Sequence, residues 1–410
     1  MNQNFSNWRN AIKLTVATIV AALGVLASSG AALAVDQESP HKSLYGPKRV
    51  HVPSHRPASP TGVNAATKAR PETAASPDAA GFNAHILLWR SFDVPGAVNG
   101  TQPAGINNLG EITGAYADSN NNVHGFVRKA NGQTVKFDPP NSSGTFPAGI
   151  NNAGDIVGSF TDAAGATHGF VRSGRGKFTI IDDPSSTSSP PSTSAQAIND
   201  WGLVVGYWSD SFFNPHGFVR QVDGSLTTVD PPGDVLSQAY HVNDLGEMGG
   251  DWQDENTSHG MLLHPDGTLV TFDAPNAAVT FGGLGQALNL EGSFAGTYAD
   301  ANLGTHGYVR YANGKFAEFT APGGGNSDFN GTWSASLNLL GTVVGFSFEA
   351  DGATVDGYVR FANGTLILAN APVAGQQQTW AWAINDLNEF TGFWYDAQGN
   401  EHGFVAVAVP

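Results

Sequence analysis

A chain of 410 residues without cysteine can hold no disulfide, no thiolate metal site and no Cys nucleophile. Charged residues are sparse at 13% while Gly reaches 51, a balance that favours turns and short strands, and 40% apolar content leaves ample material for a core. Beyond residue 80 lie 11 of the 19 Lys/Arg but 31 of the 35 Asp/Glu, so the bulk of the chain is acidic and unsuited to nucleic acid or an anionic membrane.

Residues 1–34 read as a signal peptide. Arg9 and Lys13 precede an apolar run over 14–27, and Ala31-Ala32-Leu33-Ala34 supplies a small-residue cleavage site, so the mature chain is expected to start at Val35. The run is short of the ~20 apolar residues of a bilayer span, so no transmembrane segment is expected after cleavage; an uncleaved anchor is the competing reading. A secreted or periplasmic location follows. Residues 35–81 are rich in Pro, Ala and Ser without apolar periodicity and are expected to form a disordered linker.

Residues 82–410 are organised by a repeat. Its anchors are Asn107, Asn151, Asn199, Asn243, Asn289, Asn338 and Asn385. Three residues after each comes Gly, except in the seventh unit, where Asn388 takes the place; Asn is the residue that best replaces Gly at positive φ, so a left-handed turn is predicted there. Four residues further on, a second Gly recurs in all seven units, from Gly114 to Gly392. In the first unit, strands are predicted over 104–107, 111–116, 124–129 and 134–138, with a polar hairpin over 118–123 and the stop Pro139-Pro140. Four strands every 43 to 50 residues is the signature of propeller blades. The seventh unit ends at Pro410 after its third strand, whereas a fourth-strand segment stands alone over 86–93. The prediction is an all-β, seven-bladed β-propeller whose N-terminal strand completes the last blade and closes the ring, removing exposed sheet edges.

Units reading Gly-Ile-Asn-Asn-x-Gly-x-Ile-Val-Gly-x-Phe, then Asp-x-x-Gly, then His-Gly-Phe-Val resemble the bacterial extracellular repeats of the HAF family across all seven units. The resemblance implies an exported bacterial protein and transfers no activity. Unit six departs most, with Asp356 in place of the repeat His and Asn370 in place of the strand-end Asp.

Three repeated polar sets read as structural. His124, His168, His216, His259, His306 and His402 occupy equivalent places and are spread around a ring, where they are expected to bond backbone or a neighbouring blade. The acids from Asp118 to Asp396 open the hairpin after strand two and are expected to bond backbone amides, not calcium. Arg128, Arg172, Arg220, Arg310 and Arg360 are expected to pair with repeat acids or cap strand edges. No metal site and no cofactor is expected.

Function on a repeat scaffold belongs where units differ. The segments joining one unit's fourth strand to the next unit's first are the variable ones, and they share one face with the hairpins after strand two. Tyr240 and His241 stand where other units carry small or amide residues, and form the acid/base candidate, with Asp328 as partner. Trp333, Trp380, Trp382, Asn330 and Tyr207 are the ligand-binding candidates, because aromatics and amides on a concave rim suit carbohydrate. The chain has no Gly-x-Ser-x-Gly and no His-Glu-x-x-His. The reading is a monomeric binding scaffold for a glycan or a cell-envelope protein; the alternative is a polysaccharide lyase-like enzyme with its site at the channel mouth.

Overall fold

The computed structural model describes residues 85–373 and 378–410. The signal peptide, the linker and residues 82–84 lie outside the described residues. Every regular element described is a strand, and no helix long and apolar enough to cross a membrane occurs among the described residues.

Five four-stranded antiparallel sheets follow one another: β2–β5 within Thr101–Phe137, β6–β9 within Ser142–Ile181, β10–β13 within Thr193–Val229, β14–β17 within Leu236–Phe272 and β18–β21 within Val279–Phe319. An eight-stranded sheet combines β22–β25 (Thr332–Leu368), β26–β28 (Gln378–Ala408) and β1 (Ile86–Phe92). Its two halves meet through one parallel pair, Val355 with Gln378. The N-terminal strand β1 pairs antiparallel with β28, from Ile86 opposite Ala408 to Phe92 opposite Gly403. It thus takes the fourth-strand place beside the last repeat. Apolar faces of adjacent sheets pack on each other; Ala197, Val205 and Val219 of the third sheet meet Ala239, Val242 and Met248 of the fourth.

The anchor asparagines explain the repeat length. Each side-chain amide donates to the backbone carbonyl of the next anchor, at 2.9 to 3.2 Å, from Asn107 to Asn151 and onward to Asn385. Asn385 donates in turn to Asn107 O at 3.0 Å, so the bonds form a cycle. Six of the seven Oδ1 atoms meanwhile accept backbone amides two and four residues on, as Asn199 does from Trp201 and Leu203, and Asn338 Oδ1 accepts the one four residues on. One buried side chain therefore ties its own turn and the neighbouring sheet.

Glycine is required twice per repeat. The first takes φ from +71° to +85°, and Asn388 takes 57° in the same turn, as predicted. The second faces a β-bulge in strand one: a Cβ on Gly114 would stand 2.1 Å from Gln102 O, and on Gly206 2.0 Å from Ser194 O.

The repeat histidines are clamps. His124 Nδ1 meets Asp138 at 2.8 Å, its Nε2 faces Asp118 at 3.6 Å, and its ring stacks on Tyr116. At the last repeat, His402 finds its strand-end acid on the N-terminal segment, Asp93 at 3.0 Å. Unit six swaps both partners: Asn370 donates to Asp356 at 2.6 Å. The hairpin acids accept backbone amides, as Asp118 does from Asn120 and Asn122. The arginines differ from expectation. Arg128, Arg172, Arg310 and Arg360 lie over Phe92, Phe137, Phe272 and Phe319, each on the outer strand of the preceding repeat, at 4.7 to 4.9 Å. A planar guanidinium stacks well on an aromatic face, by cation–π attraction.

Asn199→Ala removes a donor and an acceptor that serves two amides, leaving buried backbone groups unpaired. We expect a loss of about 2–4 kcal/mol in urea unfolding, and a loss under about 0.5 kcal/mol would contradict the tie.

Candidate functional site

Six of the seven first strands carry a bulge, β18 of the fifth sheet pairing in even register, and the bulge decides which side chains reach the middle of the molecule. The register shifts at Ala104, Ala148, Gln196, Tyr240, Ala335 and Trp382. An extra residue in a strand turns its side chain out of the ladder. All of these but Ala335 line a single cavity of about 460 Å³. The residue after the second Gly forms the next layer of wall: Ala115, Ser159, Tyr207 and Phe393. The first two repeats thus contribute small residues at these positions and leave space. The third, fourth and last contribute Tyr207, Tyr240, Trp382 and Phe393.

Amides complete the wall. Gln102, Gln196 and Gln286 all face the cavity. Gln102 Nε2 is held by Glu401 Oε2 at 2.8 Å, and the same oxygen accepts the Tyr395 hydroxyl at 2.7 Å. Burial raises the Glu401 carboxyl, and these two bonds only partly oppose the shift. Gln196 Nε2 donates to Ser194 Oγ at 2.9 Å.

Of the residues singled out in the sequence, Tyr207, Tyr240 and Trp382 meet in this cavity. The Tyr240 hydroxyl donates to Gln238 Oε1 at 2.5 Å. Burial, then Asp251 and Tyr207, push that phenol well above its ordinary value, so it stays a proton donor rather than a base. His241 is the next residue along, and the bulge sends it the opposite way. It has no exposed surface, accepts the Ala287 amide at Nδ1 (3.2 Å) and packs edge-on against Phe294. Burial lowers its pKa to about 3 against the opposing pull of Gly285 and Gly283 backbone. Its place is filled by Gly105, Gly149 and Ala197 in the first three repeats, so it is a wedge between sheets. The geometry therefore does not carry a Tyr240–His241 base.

The remaining candidates stand apart from the cavity. Asp328 is exposed in a tight loop at φ 52°. Asn330 belongs to the same loop, its carbonyl accepting from Thr305 N at 3.1 Å. Trp333 is 3% exposed, with Nε1 donating to Phe329 O at 3.2 Å. Trp380 is half-buried, with Phe346 at 4.4 Å and Phe393 at 5.6 Å, so it backs the wall rather than forming it.

Two acids escaped the sequence reading. Asp251 is the only acid at the position after the second Gly, where other repeats carry Ala, Ser, Tyr, Thr or Phe. It is half-buried, accepts the Gly282 amide at 3.3 Å, and burial pushes its carboxyl up to about 7. Glu401 precedes the last repeat His, where other units carry Val, Thr, Pro or Ser. Each breaks a column that a residue-by-residue alignment of the repeats displays.

His241 and Asp251 tilt stability in opposite directions with pH. A carboxyl raised to about 7 when folded contributes fully below its unfolded value and loses that contribution as pH climbs through about 7. An imidazole lowered to about 3 contributes above its unfolded value of about 6.5 and loses it as pH falls toward 3. Relative to wild type, Asp251→Asn should gain stability steadily from pH 4 to 8, by at most ~4 kcal/mol and less for the part that water reaches. The stability of His241→Gln relative to wild type should rise as pH falls from 6.5 to 4, because only the wild type loses the buried imidazole's contribution. Parallel stability–pH curves for wild type and variants would contradict these environments.

No protein-family profile matches the chain, and no curated protein matches it. Among solved structures, a puromycin hydrolase variant complexed with PGG is similar at a TM-score of 0.52 and 13% identity, over 76% of this chain and 55% of that one. The chain therefore spans about half the length of that hydrolase. The BP39L lectin from Burkholderia pseudomallei aligns at a TM-score of 0.49 and 10% identity, over 74% of this chain and 94% of that one. The β-propeller domain of the Trilobed protease from Pyrococcus furiosus aligns at 0.49 and 11% identity with the same coverages. At such identities the likeness is one of fold. The repeated four-stranded sheets, tied one to the next by the anchor asparagines, make the chain an all-β protein of the β-propeller type.

Proposed function

We propose that the chain is an exported binding scaffold, a seven-bladed propeller of the HAF repeat kind that takes a neutral glycan in its central cavity. The observation that carries this reading is the wall itself. Tyr207, Tyr240, Trp382 and Phe393 stand with Gln102, Gln196 and Gln286 around about 460 Å³. Aromatic faces suit the C–H faces of sugar rings, and amides both donate to and accept from hydroxyls. The volume falls within the usual range of small-molecule sites, ~300–1,000 Å³. The chain's excess of acids disfavours uronates, so a neutral oligosaccharide is the better match.

Seven blades and ring closure are supported by the cycle of seven anchor asparagines, by β1 on β28 and by the His402–Asp93 clamp. Export is supported by the charged, apolar and small-residue succession of residues 9–34. A lyase needs a cation to neutralise its uronate, and the described cavity wall contains no Lys or Arg.

A glycan array probed with the purified full chain tests the proposal. We expect binding to neutral oligosaccharides that Trp382→Ala weakens at least ~10-fold, the scale of one lost aromatic stacking partner. A blank array, or binding that Trp382→Ala leaves unchanged, would remove the cavity as a glycan site.

A further inference from the structure

We propose that His216, Asp230 and Asp234 form a binding site for a divalent transition-metal ion, of the Zn²⁺ class, on the connector side of the third sheet. His216 lies on β12 (Pro215–Arg220), Asp230 directly follows β13 (Leu226–Val229), and Asp234 sits in the connector leading to β14 (Leu236–Val242). One ligand atom from each lies within 4.8 Å of the others, and no other described His, Asp or Glu residues converge in this way. His216 Nδ1 stands 3.2 Å from both Asp230 oxygens and 4.0 Å from Asp234 Oδ2. Donors bound tetrahedrally to one ion at ~2.0–2.1 Å stand roughly 3.4 Å apart; the His216–Asp230 distance is close to this, and Asp234 would have to move in by a few tenths of an ångström or more.

The other repeats provide an internal comparison. The same clamp is a short, one-oxygen contact at His124, His168 and His259, at 2.8, 2.7 and 2.8 Å. At His216 it is divided between both oxygens at 3.2 Å, as it also is at His402 on Asp93 (3.0 and 3.1 Å), so the added acid and not the divided contact sets the third unit apart. Only the third unit has an acid four residues after the strand-end position; the others carry Ser142, Ser186, Ala277, Gly324, Ala374 and Ala97.

A second observation points to a ligand. Asp234 Oδ2 is fully enclosed and has no hydrogen-bond partner. An ion placed there would bridge this oxygen, the Asp230 carboxylate and His216 Nδ1. The groups that orient the ligands are in place. Asp210 faces His216 Nε2 at 3.7 Å, Trp208 stacks on the ring at 4.5 Å, and Ser237 Oγ donates to Asp230 Oδ1 at 2.8 Å. The Asp230 side chain is 32% exposed, which leaves room for water to complete the coordination.

The test is a Zn²⁺ titration of the full chain by calorimetry, with Co²⁺ as a spectroscopic substitute. One Zn²⁺ per chain and a visible Co²⁺ band are expected. Asp234→Asn should weaken Zn²⁺ binding at least ~10-fold while the metal-free variant keeps the circular dichroism spectrum of the wild type, which separates ligand loss from misfolding. His168→Ala, which opens an equivalent clamp without the third acid, should leave Zn²⁺ affinity unchanged. Absence of stoichiometric binding, an Asp234→Asn variant with wild-type affinity, or an equal loss in His168→Ala would each overturn the proposal.

Discussion

A buried primary amide must satisfy both its N–H groups and its oxygen, and that requirement holds this molecule together. Each anchor asparagine has two kinds of partner: backbone amides of its own turn, which its oxygen accepts, and the carbonyl of the next anchor, to which it donates. An unpaired buried amide costs ~1–3 kcal/mol, so a single defect is felt on both sides of it. Because Asn385 returns to Asn107, the inner ends of all the repeats are set by one cycle of bonds. Strand one must then reach the axis at a fixed height, and the bulge above the anchor must fall at the same level in each unit.

The bulge separates the side chains that pack the sheets from those that line the cavity. Below it, side chains alternate between sheet–sheet packing and the anchor turn. At it, one residue leaves the ladder in six of the seven repeats, and in five of those six it lines the cavity. Alanine at Ala104 and Ala148 keeps the cavity open, whereas Tyr240 and Trp382 furnish its aromatic side. The His–Asp clamps do comparable work at the periphery, where they pin the second hairpin to the end of strand four. A clamp that gains a third acid, as at Asp234, departs from that role without disturbing the fold.

Much of the architecture was legible because it is written seven times. The turn glycines, the aromatic core positions from Phe126 to Phe404 and the pairing of residues 86–92 with the last repeat all follow from aligning the units. The site was harder to read, for a physical reason. Sequence alternation assigns Tyr240 and His241 to opposite faces but does not say which face is the axis, because the bulge resets the parity. The second Gly was the available signal: a position that tolerates no Cβ opposite strand one marks a carbonyl pressed close. Asp328, Asn330 and Trp333 stood out by composition alone. Their loop turns on itself, with Phe329 N bonded to Leu303 O and Trp333 buried beneath it.

The central claim is that repeated residues build the ring while the bulged residues recognise the ligand. A crystal structure of the full chain soaked with the tightest-binding neutral oligosaccharide tests this most directly. The account predicts a sugar ring against Trp382 or Tyr240, with its hydroxyls within hydrogen-bond distance of Gln102, Gln196 or Gln286. A sugar seated instead on the outer loop around Asp328 and Asn330, with the axial cavity empty, would contradict it.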